Sequence, residues 1–119
     1  MGDRIIIFDD DQDILLVTAA ILQRRGYEVM CRENCLTMDT DLQTFAPQVI
    51  LMDNWMPDIS GVQAVQHIKR NPAFKAIPVI FFTANSNVEA LATEAGADYL
   101  LKKPFDIAGL QEMIAVALK

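Results

Sequence analysis

Five short apolar runs alternate along the chain with segments in which apolar positions recur at helical spacing. The runs are Ile5-Ile6-Ile7-Phe8, Glu28-Val29-Met30, Val49-Ile50-Leu51-Met52, Val79-Ile80-Phe81-Phe82 and Tyr99-Leu100-Leu101. The first, third and fourth are apolar without interruption, the mark of strands covered on both faces, and are expected at the centre of a sheet. Between the first two runs, Ile14, Val17, Thr18, Ile21 and Leu22 predict a helix, with Arg24-Arg25 and Gly26 as its stop. Leu36 to Phe45 predicts a weaker second helix closed by Pro47. Val62, Val65 and Ile68 line a short third starting after Gly61. Val88, Leu91, Ala92 and Ala95 make a fourth ending at Gly96, and Ile107, Leu110, Met113, Ile114 and Ala117 a fifth.

This alternation is a (βα)5 series and predicts an α/β fold around a parallel sheet. No repeat, low-complexity tract or linker interrupts it, so residues 1–119 read as one domain. Right-handed crossovers favour a doubly wound sheet, whose ligand crevice lies beyond the carboxyl ends of the strands.

Composition narrows the function. With 52% hydrophobic and 22% charged residues the chain has the balance of a folded globular protein. A formal net charge of -6 disfavours direct binding of nucleic acid. No run approaches the length of a membrane span and nothing at the start reads as a signal peptide, so a cytoplasmic location is expected. Cys31 and Cys35 are too few for a disulfide framework or a zinc site and read as free thiols.

The polar residues fall where the crevice is expected. Asp9, Asp10 and Asp11 follow the first strand, Asp53 ends the third, Thr83 the fourth, and Lys103 follows the fifth. Carboxylates gathered at one rim repel one another by several kcal/mol, about 4 for a pair ~4 Å apart at an effective dielectric of 20. A hard divalent cation with oxygen ligands, Mg²⁺ above all, would relieve this, and Lys103 would add a second positive charge. Metal and lysine together could neutralise a phosphoryl group arriving at Asp53, with the Thr83 hydroxyl donating to one of its oxygens.

From end to end the chain resembles the response-regulator receiver family of two-component signalling. The likeness rests on Ile5-Ile6-Ile7-Phe8-Asp9-Asp10-Asp11, on Val49 to Asp53 with Met56-Pro57 and Gly61 behind it, on Phe82-Thr83-Ala84, and on Lys103-Pro104-Phe105. It implies a flavodoxin-like sheet of order 2-1-3-4-5. It makes Asp53 the phosphoacceptor, Asp10 a direct Mg²⁺ (or Mn²⁺) ligand, Asp9 a ligand through water, and the Trp55 backbone carbonyl a further ligand. Lys103 becomes the phosphate-binding lysine, joined to Pro104 by a cis peptide bond. Thr83 is the switch hydroxyl, with Ala84 leaving it room to move. Trp55 and Asn85 sit where the family tunes the access of water to the acyl phosphate. Asp11 falls outside the acidic pair and reads as a helix cap. His67 reads as an ordinary surface or half-buried residue, and Met52, Met56, Phe81 and Phe82 as packing. Pro57 and Gly61 are expected to shape the loop after the acceptor through a fixed φ and a permissive one.

One departure stands out. Leu100 occupies the position at which many receivers carry a switch aromatic, and Tyr99 should face the other side of its strand. State is therefore expected to be relayed through backbone changes after strands four and five, including residues 84–88.

The resemblance implies a histidine kinase or histidine phosphotransfer protein as donor and a downstream protein or output domain as target. A homodimer through the fourth and fifth helices is left open. Such a domain catalyses only its own phosphorylation and dephosphorylation and is not otherwise an enzyme. An Mg²⁺-dependent phosphatase with an Asp nucleophile would need a second acid where Trp55 stands. A flavodoxin-like cofactor binder would need hydroxyls and glycines where three aspartates stand. An interaction module that no longer takes phosphate is at odds with the complete set of site residues.

Overall fold

The computed structural model describes residues 2–83 and 86–119, the side chain of Ser86 excepted. Its elements follow one another as β1 (Arg4–Phe8), α1 (Gln12–Arg24), β2 (Glu28–Arg32), α2 (Met38–Phe45), β3 (Val49–Asp53), α3 (Gly61–Arg70), β4 (Val79–Thr83), α4 (Ser86–Ala95), β5 (Tyr99–Lys102) and α5 (Ile107–Ala117). The five strands form one parallel sheet in the order β2-β1-β3-β4-β5. The three uninterrupted apolar runs are its interior strands, and β3 and β4 are buried along their whole length.

Alternation along the strands divides the core in two. Ile6, Phe8, Ile50, Met52, Val79 and Phe81 pack with Met38 and Leu42 of α2, Ala64, Val65 and Ile68 of α3, and Ala92 and Ala95 of α4. Ile5, Ile7, Val49, Leu51, Ile80, Phe82 and Leu101 pack with Leu15 and Leu22 of α1 and Leu110, Ile114 and Ala117 of α5. The carboxyl ends of the five parallel strands, four of which carry the candidate site residues, thus open on one rim between two helical layers.

Local signals fix the helix starts. The Asp11 carboxylate accepts from the Asp13 and Ile14 amides and caps α1. Ser60 and Gln63 form a reciprocal capping box at the start of α3, and Asp106 caps α5 by accepting from the Gly109 amide at 2.6 Å. The second helix begins at Met38 rather than Leu36, which stands exposed in the preceding loop. Its far end is an Ala46 in the left-handed region (φ 50°). Arg4 stabilises that end, its Nε donating to the Phe45 and Ala46 carbonyls at 2.8 and 3.1 Å, where a cation also suits the helix dipole. Val17, Leu91 and Ile107, placed on core-facing stripes by their spacing, are exposed. The buried stripe of α1 is instead Leu15, Thr18 and Leu22.

A polar network between β2 and α2 has no counterpart in the sequence reading. Arg32 donates to both oxygens of the buried Asp41, at 2.9 and 3.1 Å, and Thr37 Oγ1 donates to Asp41 Oδ2 at 2.8 Å. Burial pushes the Asp41 carboxyl up, but the Arg32 and Thr37 hydrogen bonds and the Arg32 charge outweigh it and hold the group below the ordinary carboxylate range. The folded carboxyl then titrates below the unfolded one. Its contribution to stability is complete above about pH 4 and is lost as pH falls through the folded pKa. Arg32→Met is expected to cost roughly 1–2 kcal/mol at neutral pH, since Arg32 is itself partly exposed. The gap between the urea midpoints of variant and parent should close in acid. A gap unchanged there would locate the loss elsewhere.

Candidate functional site: an acidic pocket bridged by lysine

The parallel sheet delivers the acidic residues of β1 and β3 to the same rim. Asp9, just past β1, has no exposed surface, and Asp53, the last residue of β3, is 2% exposed. Asp10 points outward. One carboxylate oxygen from each of Asp9, Asp10 and Asp53 lies within 4.8 Å of the others, the metal-competent cluster found among the described residues.

Lys103, immediately after β5, closes the pocket. Its Nζ donates to Asp53 Oδ1 at 2.7 Å and to Asp9 Oδ2 at 3.4 Å. Three carboxylates against one ammonium leave the cluster negative. Burial pushes the Asp9 carboxyl up and neighbouring Asp53 pushes it further, while the Asp11 amide, donating at 2.9 Å, and Lys103 draw it down; the balance is a raised pKa. Burial is the largest of these causes, with the repulsion from Asp53 adding to it.

The Asp53 carboxylate is held from a second side. The Trp55 amide donates to Asp53 Oδ2 at 3.1 Å, while the Met56 and Gly61 amides both donate to the Asn54 carbonyl, at 3.2 and 2.9 Å. The turn after β3 is thereby pinned to the first residue of α3. Trp55 is 70% exposed. Gly61 is not in the left-handed region, which among the glycines is confined to Gly26 (φ 92°) and Gly96 (φ 110°). What position 61 requires is absence of bulk: a Cβ there would stand 2.2 Å from the Asp53 carbonyl oxygen.

Thr83 ends β4 with its side chain buried, and its carbonyl accepts from the Lys103 amide at 3.1 Å. The Lys103–Pro104 peptide bond is cis. Leu100 packs on the α2–α4 face with Val88, and Tyr99 on the α1–α5 face. Ala84 and Asn85 lie outside the described residues, as does part of the 84–88 segment expected to relay the switch. His67 sits on α3 with its Nε2 2.7 Å from Asp39 Oδ1, both partners about half exposed and remote from the pocket. Cys31 and Cys35 are free thiols, and burial, with the charge of Asp58 behind it, pushes the Cys35 thiol up to about 12.

A family model for the response regulator receiver domain matches residues 5–115. The chain belongs to this family. Among curated relatives, this receiver domain is 31% identical over 107 residues to the phosphate regulon transcriptional regulatory protein PhoB of Escherichia coli, a match covering 88% of the chain and 47% of that protein. The chain thus spans about half the length of that relative. Among solved structures it superposes with a TM-score of 0.91 on the signal receiver domain of a response regulator from Bermanella marisrubri, with 25% identity and all of both chains covered. The receiver domain of a sensor histidine kinase from Pseudomonas aeruginosa matches with a TM-score of 0.91 and 26% identity over 99% of this chain and 98% of that one, and it holds a magnesium ion in its active site cleft. The receiver is a two-component signalling domain rather than a classical enzyme. Among its described residues no helix is long and apolar enough to cross a membrane.

Proposed function

We propose that residues 1–119 act as a single phosphorylatable switch, with Asp53 the acceptor of a phosphoryl group from a phosphohistidine on a kinase or phosphotransfer protein. The observation that carries this is the Lys103 ammonium seated between two buried carboxylates, 2.7 Å from Asp53 and 3.4 Å from Asp9. Such a pair of acids is costly to bury unless cations pair with it, and one ammonium shared by two carboxylates leaves room for a second cation.

The donor set fits a hard divalent cation: three carboxylates with oxygens within 4.8 Å, one of them exposed to an approaching ion. Asp10 and Asp53 would hold Mg²⁺, or Mn²⁺, with Asp9 reaching it through water and the Trp55 carbonyl as a further ligand. When bound, the ion supplies charge neutralisation for the phosphoryl oxygens. An Asp53 carboxylate oxygen attacks phosphorus, the P–N bond to the donor imidazole breaks, and the imidazole keeps the electron pair and is protonated. Lys103 moves its attention from carboxylate to phosphoryl oxygen with little displacement, and the Thr83 hydroxyl donates to another. In hydrolysis water attacks phosphorus and the Asp53 carboxylate leaves.

Phosphorylation replaces one negative charge by roughly two and adds acceptor oxygens. A downstream protein or output domain that prefers the resulting shape is recruited by that difference in affinity. Exposed Leu91 on α4 and Val116 on α5 would suit a homodimer through those helices. The setting is cytoplasmic.

Mass spectrometry after incubation with a small phosphodonor and Mg²⁺ tests the reading. One added phosphoryl group, mapped to the peptide containing Asp53, is expected; an unmodified protein, or a group mapped elsewhere, overturns it. The exposed Trp55 leads to a further expected result: Trp55→Ala alters the lifetime of the phosphorylated form at least several-fold by changing how water reaches it. Equal decay rates would show that the indole has no part in that access.

A further inference from the structure

Phe82 reads as core packing in the sequence, and it is buried to 1% exposure against α1 and α5. Two contacts give it more to do. The Lys103 ammonium lies over its ring, 4.9 Å from the centroid. Phe105 meets the same ring edge-on, at 6.0 Å between centroids and an interplanar angle of 73°. Phe82 is also the register partner of Asp53 across the β3–β4 ladder, so ring and acceptor carboxylate rise from neighbouring points of the sheet.

A lysine head on a flexible stem has many ways to reach one carboxylate and few to reach two at once. The carboxylates of Asp53 and Asp9 satisfy it on one side. On the other, the face of an aromatic ring offers the negative end of its quadrupole to a cation that is largely withdrawn from water, 23% of the lysine side chain being exposed. An aliphatic side chain of the same bulk would fill the space without that attraction. We infer that Phe82, itself held edge-on by Phe105, is a positioning residue that fixes the Lys103 ammonium where it spans Asp9 and Asp53. The inference rests on the reading of Asp53 as phosphoacceptor only for its kinetic consequence.

The test separates ring electrostatics from packing. Mono-, di- and trifluorinated phenylalanine installed at position 82 keep the shape nearly constant while draining charge from the ring face. The rate of Asp53 phosphorylation by a small phosphodonor at saturating Mg²⁺ is expected to fall with each fluorine, by about fivefold in total, the scale of a partly desolvated cation–ring contact. The second readout needs no phosphorylation. In NMR spectra of the parent, the Lys103 ε-methylene protons should be displaced upfield by the ring over which the adjoining ammonium lies, and should return to the ordinary lysine position in Phe82→Leu. A flat rate series on a protein that does phosphorylate Asp53 overturns the inference, as does an undisplaced ε-methylene in the parent. Absence of phosphorylation in the parent counts instead against the acceptor reading, and the NMR shift still decides whether Phe82 holds the lysine.

Discussion

Asp53→Asn is expected to abolish phosphoryl uptake completely while making the protein more stable. The amide is isosteric with the carboxylate and removes one of the two charges buried within the pocket, but it has a single acceptor oxygen: with that oxygen toward Lys103 Nζ, its NH2 faces the Trp55 amide, which loses its acceptor. Repulsion between Asp53 and Asp9 is one of the causes that push the Asp9 carboxyl up, and the substitution relieves it. The weaker bond to Lys103, which keeps Asp9, and the unmet Trp55 amide offset part of the gain. The net effect should be about 1 kcal/mol of added stability in the absence of divalent ions, in the range by which functional sites hold proteins below their stability optimum. Magnesium should narrow or reverse the order. An ion bound only by the folded state stabilises it in proportion to the logarithm of its concentration over Kd, and the parent has one more ligand for it. Urea titrations with and without Mg²⁺ measure both effects. A variant less stable than the parent in metal-free buffer would mean that Lys103 already neutralises the pocket and that the acids carry no strain toward a cation.

How much of this was legible beforehand depended on whether a signal was local. The interior strands β1, β3 and β4 announce themselves, since an unbroken apolar run of four or five residues has few other uses in a small α/β chain. Asp11 and the acids at the rim follow from strand ends that are equally local. Helix faces were read less well. Val17, Leu91 and Ile107 obey helical spacing but lie on the flank of the stripe, and spacing alone does not say where a stripe ends. The start of α2 slipped by two residues because its first turn has no side-chain cap to mark it. The Arg32–Asp41–Thr37 network joins a strand to the following helix across a turn of chain that no periodicity encodes, and Phe82 over Lys103 joins a residue of β4 to one just past β5. Both are contacts between ordinary residue types, visible once the sheet exists. Gly61 was read correctly as necessary and wrongly as to why, because sequence offers φ as the usual reason for glycine and cannot see a neighbour's carbonyl.

That difference makes Gly61→Ala a sharp test of how Asp53 is held. On helix propensity alone alanine at the first position of α3 should help, by roughly 1 kcal/mol. The geometry says otherwise: the new Cβ would lie 2.2 Å from the Asp53 carbonyl oxygen, 2.8 Å from the Asn54 Cα and 2.8 Å from Phe81 Cε1. Two of these atoms are backbone of the acceptor turn, and the third belongs to a fully buried ring. None can yield without moving either α3 or the end of β3, and the Gly61 amide bond to Asn54 at 2.9 Å ties the two together. A net loss of about 3 kcal/mol is expected, the upper part of the range for forced overpacking, together with a slower reaction at Asp53, whose carboxylate is carried on the displaced turn. Gly26→Ala is the contrasting case. Gly26 has open space around its Cβ position and a φ of 92°, so alanine there should cost only the left-handed penalty of about 1–2 kcal/mol and leave phosphorylation at the parental rate. Chemical denaturation and phosphorylation kinetics on the two variants separate crowding from backbone conformation. Should Gly61→Ala match Gly26→Ala in both measurements, the contact between α3 and the acceptor turn is too loose to position Asp53, and the Trp55 amide and Lys103 must hold it by themselves.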